Sequence, residues 1–274
     1  MSELNLSATQ LERYARQLVL DGFGSGGQAG LREARILVVG AGGLGSPVLM
    51  YLAGAGVGTL GIIDDDRVER SNLHRQLLHG EDDIGRPKVA SASDWINSHN
   101  PDVEIRTYNR TLDLSSVGEL IPGYDLVVDA TDRFESRFLI NDACTVAEIP
   151  FVHGAVYRFE GQVITFDPAR AGPCYRCLFP EAPPPGTVPD CATAGVLGPV
   201  PGIVGSIQAS EAIKHASGIG DSPLGRLLLI DTLGLHIDAI DIEHDPTCPV
   251  CATDTGIESL DKIAYDDRYR IVSA

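Results

Sequence analysis

Residues 38–46 read VVGAGGLGS, and residues 61–76 read GIIDDDRVERSNLHRQ. In the first stretch Gly40, Gly42, Gly43 and Gly45 follow a short apolar run, the pattern of a turn that cradles phosphate where a helix begins. In the second, Asp64 closes another apolar run at the place expected of a ribose partner. Any dinucleotide enzyme could carry both features. Asn72, Arg75 and Gln76 are less expected there, and they point to a triphosphate that reacts.

Working outward, ARILVVG (34–40) reads as a buried parallel strand, SPVLMYLAGAGV (46–57) as the helix after the glycine loop, and GTLGIID (58–64) as the next strand. DVEIRTY and YDLVVDATD read as further strands around the segment RPKVASASDWINSHN, and the helix RFESRFLINDACTVAE leads to a strand FVHGAV. Strand and helix alternate, so the expected fold is α/β: a Rossmann-like, doubly wound, mostly parallel sheet. At the amino end a helix is predicted over about 9–20, with Ser7 or Thr9 as N-cap, Glu12 as capping-box partner and GFGSGG as its stop.

After Val156 the texture changes. YRFEGQVITFDP suggests a hairpin, the proline-rich PEAPPPGTVPDC an extended loop, PGIVGSIQASEAIKHASG a helix, and GRLLLIDTLGLHIDAIDI two antiparallel strands that continue the sheet. The expected organisation is one unit over 1–274. Residues 1–155 form its nucleotide-binding half, 156–255 the antiparallel strands, crossover loop and cysteine site, and 256–274 a tail.

The 274 residues are 43% hydrophobic, enough for one substantial core, and the formal charge is -17. That charge repels phosphate at long range, which argues against nucleic acid or an anionic membrane as direct partners. The polar amino end lacks the apolar core of a signal peptide and no apolar run is long enough to span a bilayer, so a cytoplasmic protein is expected. Lysine occurs only at 88, 214 and 262. An acidic, lysine-poor chain fits adaptation to high salt, where screening weakens self-repulsion, better than the alternative of an ordinary acidic protein of a high-GC genome.

The six cysteines divide into groups. Cys174 and Cys177 in CYRC, with Cys248 and Cys251 in CPVC, have the spacing of a tetrahedral thiolate zinc site, a structural one because no ligand position is left open. Disulfides or a redox pair are the alternatives, and both fit a cytosolic chain less well. Cys144, inside a predicted helix, reads as a buried small hydrophobe. Cys191 follows the proline-rich loop, in a setting that suits either a reactive thiol or an inert one. A parallel sheet gathers the ends of its strands on one rim, so Gly43, Asp64 and Asp132 are expected to meet the loop-borne Arg75 and Lys88. Two cations and a magnesium-holding carboxylate suit phosphoryl or nucleotidyl transfer, whereas hydride transfer needs neither. A nicotinamide-dependent oxidoreductase and a non-catalytic binding scaffold remain the alternatives.

In order along the chain, RYARQ, GAGGLGS, DDDRVERSNLHRQ, GRPKV, DATD, CYRC, CATAGVLGP and CPVC resemble the ubiquitin-activating superfamily in its compact MoeB/ThiF form, from about Leu11 to Cys251. The acid-rich composition is similar to haloarchaeal activating enzymes for small archaeal modifier proteins. The resemblance implies ATP and magnesium, and a ubiquitin-like or sulfur-carrier partner whose Gly-Gly carboxylate attacks the α-phosphate to give an acyl-adenylate and pyrophosphate. Downstream of such an adenylate lie protein conjugation or sulfur transfer for molybdopterin, thiamin or thiolated tRNA.

The resemblance also implies residue roles. Gly43 would lie against the nucleotide and Asp64 on the ribose. Ser71, Asn72, Arg75 and Lys88 would stand near the phosphates, and Asp132 would hold magnesium. Arg16 would reach the site of the opposite protomer in a homodimer, and Cys191 would be the reactive cysteine. Arg133 departs from the family pattern, which has asparagine after TD, whereas Arg137 keeps a later family arginine. No rhodanese domain follows Cys251, so any sulfur would come from a separate donor. The partner's tail would thread beneath the loop between Pro180 and Cys191.

Overall fold

The computed structural model describes residues 6–184, 194–222, 224–252, 259–263 and 265. Its eight-stranded sheet runs β3-β2-β1-β4-β5-β6-β7-β8. The strands are β1 (Arg35–Val39), β2 (Thr59–Ile63), β3 (Glu104–Tyr108), β4 (Leu126–Asp129), β5 (Phe151–Tyr157), β6 (Glu160–Phe166), β7 (Arg226–Asp231) and β8 (His236–Asp241). The first five pair in parallel, and from β5 onward each neighbour is antiparallel. This is the doubly wound order with an antiparallel extension, as the alternating pattern predicts.

Eight helices are described: α1 (Ala8–Leu18), α2 (Gly24–Glu33), α3 (Gly45–Ala55), α4 (Lys88–His99), α5 (Leu114–Leu120), α6 (Phe134–Ala147), α7 (Tyr175–Leu178) and α8 (Pro199–Ser217). They cover both faces of the sheet. On β1, Ile36 and Val38 pack with Leu31 of α2, Leu49 and Leu52 of α3, Ile96 of α4 and Ala212 of α8. The alternate residues Leu37 and Val39 pack with Val117 of α5, Phe138 of α6 and Tyr175 of α7. Burial on both faces is why the central strands read as continuous apolar runs without polar alternation.

At the amino end the expected cap Ser7 is observed, whereas the Thr9–Glu12 pairing and the helix stop are corrected. The cap of α1 is Ser7, whose Oγ accepts from Gln10 N while the Gln10 side chain accepts from Ser7 N; Thr9 and Glu12 are not its capping pair. The stretch expected to stop that helix instead contains the start of α2. Glycine weakens a helix locally, but here it lets two helices meet: a Cβ on Gly30 would lie 2.6 Å from the carbonyl oxygen of Ala216 in α8. Tertiary contact outweighs propensity. Gly30→Ala is therefore expected to destabilise. Overpacking against immovable backbone costs about 1–3 kcal/mol, against a gain of at most about 1 kcal/mol in helix propensity. A urea midpoint at or above the parent's would contradict this.

Helix α5 lay outside the sequence expectations, although Asp113 caps it with a reciprocal bond to Ser116. Among the described residues no helix is long and apolar enough to cross a membrane.

Candidate active site

From β1 the chain runs outward through β2 and β3, then returns to β4 on the other side of β1. The sheet's switch point therefore lies between β1 and β4, and ligands of such sheets bind beyond the strand ends there. A cavity occupies that position. Gly40, Gly42, Gly43, Asp64, Arg75, Lys88 and Asp132 all line it, so the expected convergence is observed.

The glycine loop is shaped by two steric demands. Gly40 has φ +101°, and a Cβ on Gly45 would fall 2.0 Å from the Gly40 carbonyl oxygen. Only glycine satisfies either. The loop turns directly into α3, which begins without a side-chain cap; Ser46 N donates to Gly42 O at 2.9 Å, so the helix turn closes on the loop itself.

Asp64 and His79 brace the loop from below. The Asp64 carboxylate accepts from Ala41 N at 2.7 Å and from Asp66 N at 2.8 Å. Burial pushes its pKa above the usual carboxylate range, with Lys88 and the two N–H donors pulling the other way. Buried His79 lies 2.9 Å from Ala41 O through Nε2 and 2.8 Å from Ser91 Oγ through Nδ1. Burial lowers its pKa, so the imidazole is neutral, Nε2–H donates to Ala41 O, and Nδ1 accepts from the serine. The residue expected at the ribose thus also anchors the loop.

The cations are held in place in advance. The Arg75 guanidinium donates to Ser71 O at 3.2 Å and to Asn72 Oδ1 at 3.1 Å, with His74 Nε2 2.9 Å away. Ser71 and Asn72, expected near phosphate, do not line the cavity and instead orient Arg75. Lys88, buried at the start of α4, reaches Asp66 Oδ2 at 2.7 Å. Asp132 is exposed, and among the described residues its carboxylate has no hydrogen bond or ion pair.

For two other expected residues no place in the cavity is observed among the described residues. Arg16 is exposed on α1 and does not line it, and Cys191 lies outside the described residues. Arg133 does line it, as do Arg110 and Thr111, which sequence reasoning did not single out. Those two follow the end of β3, and the rule that placed Asp64 after β2 would have found them. His79 had no comparable signal, because its partners are 38 and 12 residues away.

The ThiF family model matches residues 14–250. The chain belongs to the ThiF family. It is 51% identical over 262 residues to the SAMP-activating enzyme E1 of Haloferax volcanii, covering 96% of each chain. It is 47% identical over 261 residues to the sulfur carrier protein adenylyltransferase of Thermus thermophilus, covering 93% of this chain and 96% of that one. The fold is similar to E. coli MccB in complex with MccA-N7isoASN, with a TM-score of 0.79 at 23% identity over 92% of this chain and 76% of that one.

In this ThiF-family chain the cysteines gather away from the cavity. Cys174, Cys177, Cys248 and Cys251 have their sulfurs within 4.8 Å of one another, with Cys174 and Cys248 at 3.6 Å and Cys177 and Cys251 at 3.4 Å. None is in a disulfide. Cys177 Sγ also accepts from Cys174 N and Asp245 N, both at 3.4 Å. Such a cluster can hold a metal ion. Cys144, by contrast, is fully buried in α6, and burial raises its thiol pKa, as expected of an inert core residue.

Proposed function

We propose that this chain uses ATP to adenylate the C-terminal Gly-Gly carboxylate of a small ubiquitin-like or sulfur-carrier protein. The observation that carries the reading is the cavity at the switch point, lined by a glycine loop, two pre-positioned cations and a carboxylate unpaired among the described residues. The names of the Haloferax and Thermus relatives, an activating enzyme and a sulfur carrier protein adenylyltransferase, agree with it. The carboxylate oxygen bonds to the α-phosphorus, the bond from that phosphorus to the bridging oxygen breaks, and pyrophosphate leaves. The chain contributes positioning and charge: loop amides and Gly43 hold the nucleotide, and Arg75 and Lys88 neutralise the oxygens on which charge builds. Asp132, whose carboxylate has no partner among the described residues, suits magnesium, which when bound would share that neutralisation.

Partner-dependent ATP–pyrophosphate exchange tests the reading directly. It should be measured with and without a small β-grasp protein ending in Gly-Gly, at high potassium chloride because the chain carries a charge of -17. Exchange that requires the partner is the expected result. Partner binding without exchange would favour a scaffold, with Arg133 as the suspect, and NADH binding without ATP binding would favour the oxidoreductase reading. After adenylation, Cys191 is the proposed acceptor: its thiolate attacks the acyl carbon and AMP leaves, or it takes part in sulfur transfer from a separate donor.

The four cysteines are proposed to bind structural zinc. Zinc–sulfur bonds of about 2.3 Å in a tetrahedron set sulfurs about 3.8 Å apart, and the spacing of this cluster suits that geometry.

The working unit is proposed to be a homodimer. A second cavity, lined by Pro47, Met50, Tyr51, Leu77, Trp95 and Ile203, also includes Arg75, so it adjoins the nucleotide cavity. Tyr51, Leu77 and Ile203 are exposed there, an apolar face that a second copy would cover. Arg13 donates to His99 O at 2.8 Å, which sets α1 along the rim of this cavity and supports Arg16 entering the opposite protomer's site. Ile203→Asp is expected to give monomers by light scattering and to lower exchange at least about a hundredfold through loss of that arginine. A dimeric variant, or a monomer with full exchange, would refute this arrangement.

A further inference from the structure

The Asp132 carboxylate has no side-chain anchor of its own among the described residues, yet it must be held where a metal–nucleotide complex can use it. Its place is set by backbone, and that backbone is clamped three residues earlier. Asp129 ends β4 and is completely buried. Its Oδ1 accepts from Thr131 N at 3.0 Å and from Thr131 Oγ1 at 2.7 Å, folding residues 129–131 into a closed turn. Its Oδ2 lies 2.7 Å from His153 Nδ1, and the two residues are register partners on β4 and β5.

The clamp is supported on every side. Burial would raise the Asp129 pKa, but the hydrogen bonds from His153 and Thr131, with the charge of Arg137, outweigh it and keep the carboxylate ionised. Burial holds the His153 pKa below its ordinary value against the pull of Asp129, so a neutral imidazole donates through Nδ1–H. The Tyr175 ring packs on that imidazole, with centroids 4.9 Å apart. From the other face of the sheet, Gln208 of α8 donates to Asp129 O at 2.7 Å and to Val152 O at 3.3 Å. The end of β4 is thereby fixed in side chain and main chain alike. The next residue, Ala130, abuts the glycine loop: a Cβ on Gly40 would be 2.7 Å from its carbonyl oxygen.

We propose that Asp129 and His153 are positioning residues for adenylation, acting through the Thr131 turn to hold Asp132 against the bound metal–nucleotide complex. The inference rests on the reading of Asp132 given above. A buried ionised carboxylate on a central strand is costly unless all its partners are present. A hydrophobic pair would serve the core as well. What the polar pair adds is a defined turn at one rim of the cavity.

The test compares Thr131→Val, Thr131→Ser, Asp129→Asn and Asp132→Ala in the full chain. Three quantities are read: the urea midpoint, Mn2+ affinity of the protein with α,β-methylene ATP (from the electron paramagnetic resonance of free Mn2+), and kcat and KM for partner-dependent pyrophosphate exchange. Thr131→Val removes one bond of the clamp and is expected to weaken Mn2+ binding and lower kcat each by about tenfold, as misplacement of a positioned group does. KM for the partner should hold, the urea midpoint should fall only by the loss of one buried hydrogen bond, and Thr131→Ser should restore the parent values. Asp129→Asn keeps an acceptor for Thr131 and should fall between them.

If Asp132→Ala loses Mn2+ binding and exchange while Thr131→Val and Asp129→Asn bind Mn2+ as the parent does, the positioning inference fails and the reading of Asp132 stands. If activity falls only with the urea midpoint, Mn2+ affinity unchanged, the clamp is structural and the inference is again overturned. Full Mn2+ binding and exchange by Asp132→Ala would remove the reading of Asp132 and this inference together.

Discussion

Arg75→Ala is expected to lose partner-dependent pyrophosphate exchange by at least about a thousandfold, the scale seen when one preorganised charge is removed from phosphoryl transfer. Arg75 is the cation whose geometry is most completely set beforehand. Ser71 O and Asn72 Oδ1 accept from it, and it lines the cavity between the glycine loop and α8. Because those contacts exist before ligand binds, little reorganisation is needed as charge develops on the α-phosphate oxygens. Arg75→Lys should recover little, since an ammonium cannot keep both contacts and still present a second face to phosphate. The fold should survive: Arg75 is half-exposed and its internal bonds are near the surface, worth about 1 kcal/mol. Exchange rates and urea midpoints, measured side by side, separate the two effects. An alanine variant within tenfold of the parent would move the phosphate site elsewhere.

Loss of the zinc proposed at the four cysteines is expected to be the second large effect. Among the described residues the segment around Cys248 and Cys251 buries little of its own: its apolar cluster consists of Cys174, Cys248, Val250 and Ala252, with Cys177, Cys251 and Ile263 alongside. So small a core cannot offset the entropy of ordering the chain. Structural zinc contributes about 10–16 kcal/mol of apparent binding free energy in small domains, so here the metal would dominate local stability. The sheet is different, because its two faces carry extensive apolar clusters independent of the cysteines. Cys248→Ser, or exhaustive chelation, is therefore expected to release residues 244–252 without unfolding β1 and β4. Amide exchange should show protection lost in the former and kept in the latter, and the parent should carry one zinc per chain. Metal-free protein with the 244–252 amides fully protected would contradict the assignment.

Much of this molecule was legible along the chain. The central strands announced themselves because both faces are buried, so Ile36 to Val39 had to be apolar at every position. The glycine loop was legible for a steric reason: where a Cβ would strike backbone, as at Gly45, only one residue type fits. The cysteine cluster was legible because each pair of cysteines comes from one short turn, which fixes its spacing. Asp64, Arg75, Lys88 and Asp132 were found because strand ends in a parallel sheet share one rim.

What the chain alone did not reveal depends on contacts between distant segments. The glycine-rich stretch after α1 read as a helix stop, and its helical form follows from the approach of α8 at Gly30, nearly two hundred positions away in the numbering. Ser71 and Asn72 stood in the right motif, but only folding showed that they grip Arg75 and leave the cavity to it. His79, His153 and Gln208 carry no local mark at all, since each gains its meaning from a carbonyl or carboxylate brought to it by the sheet. Local sterics and periodicity leave their trace in neighbouring residues, whereas a hydrogen bond between remote segments exists only once burial has excluded the water that would otherwise satisfy both partners.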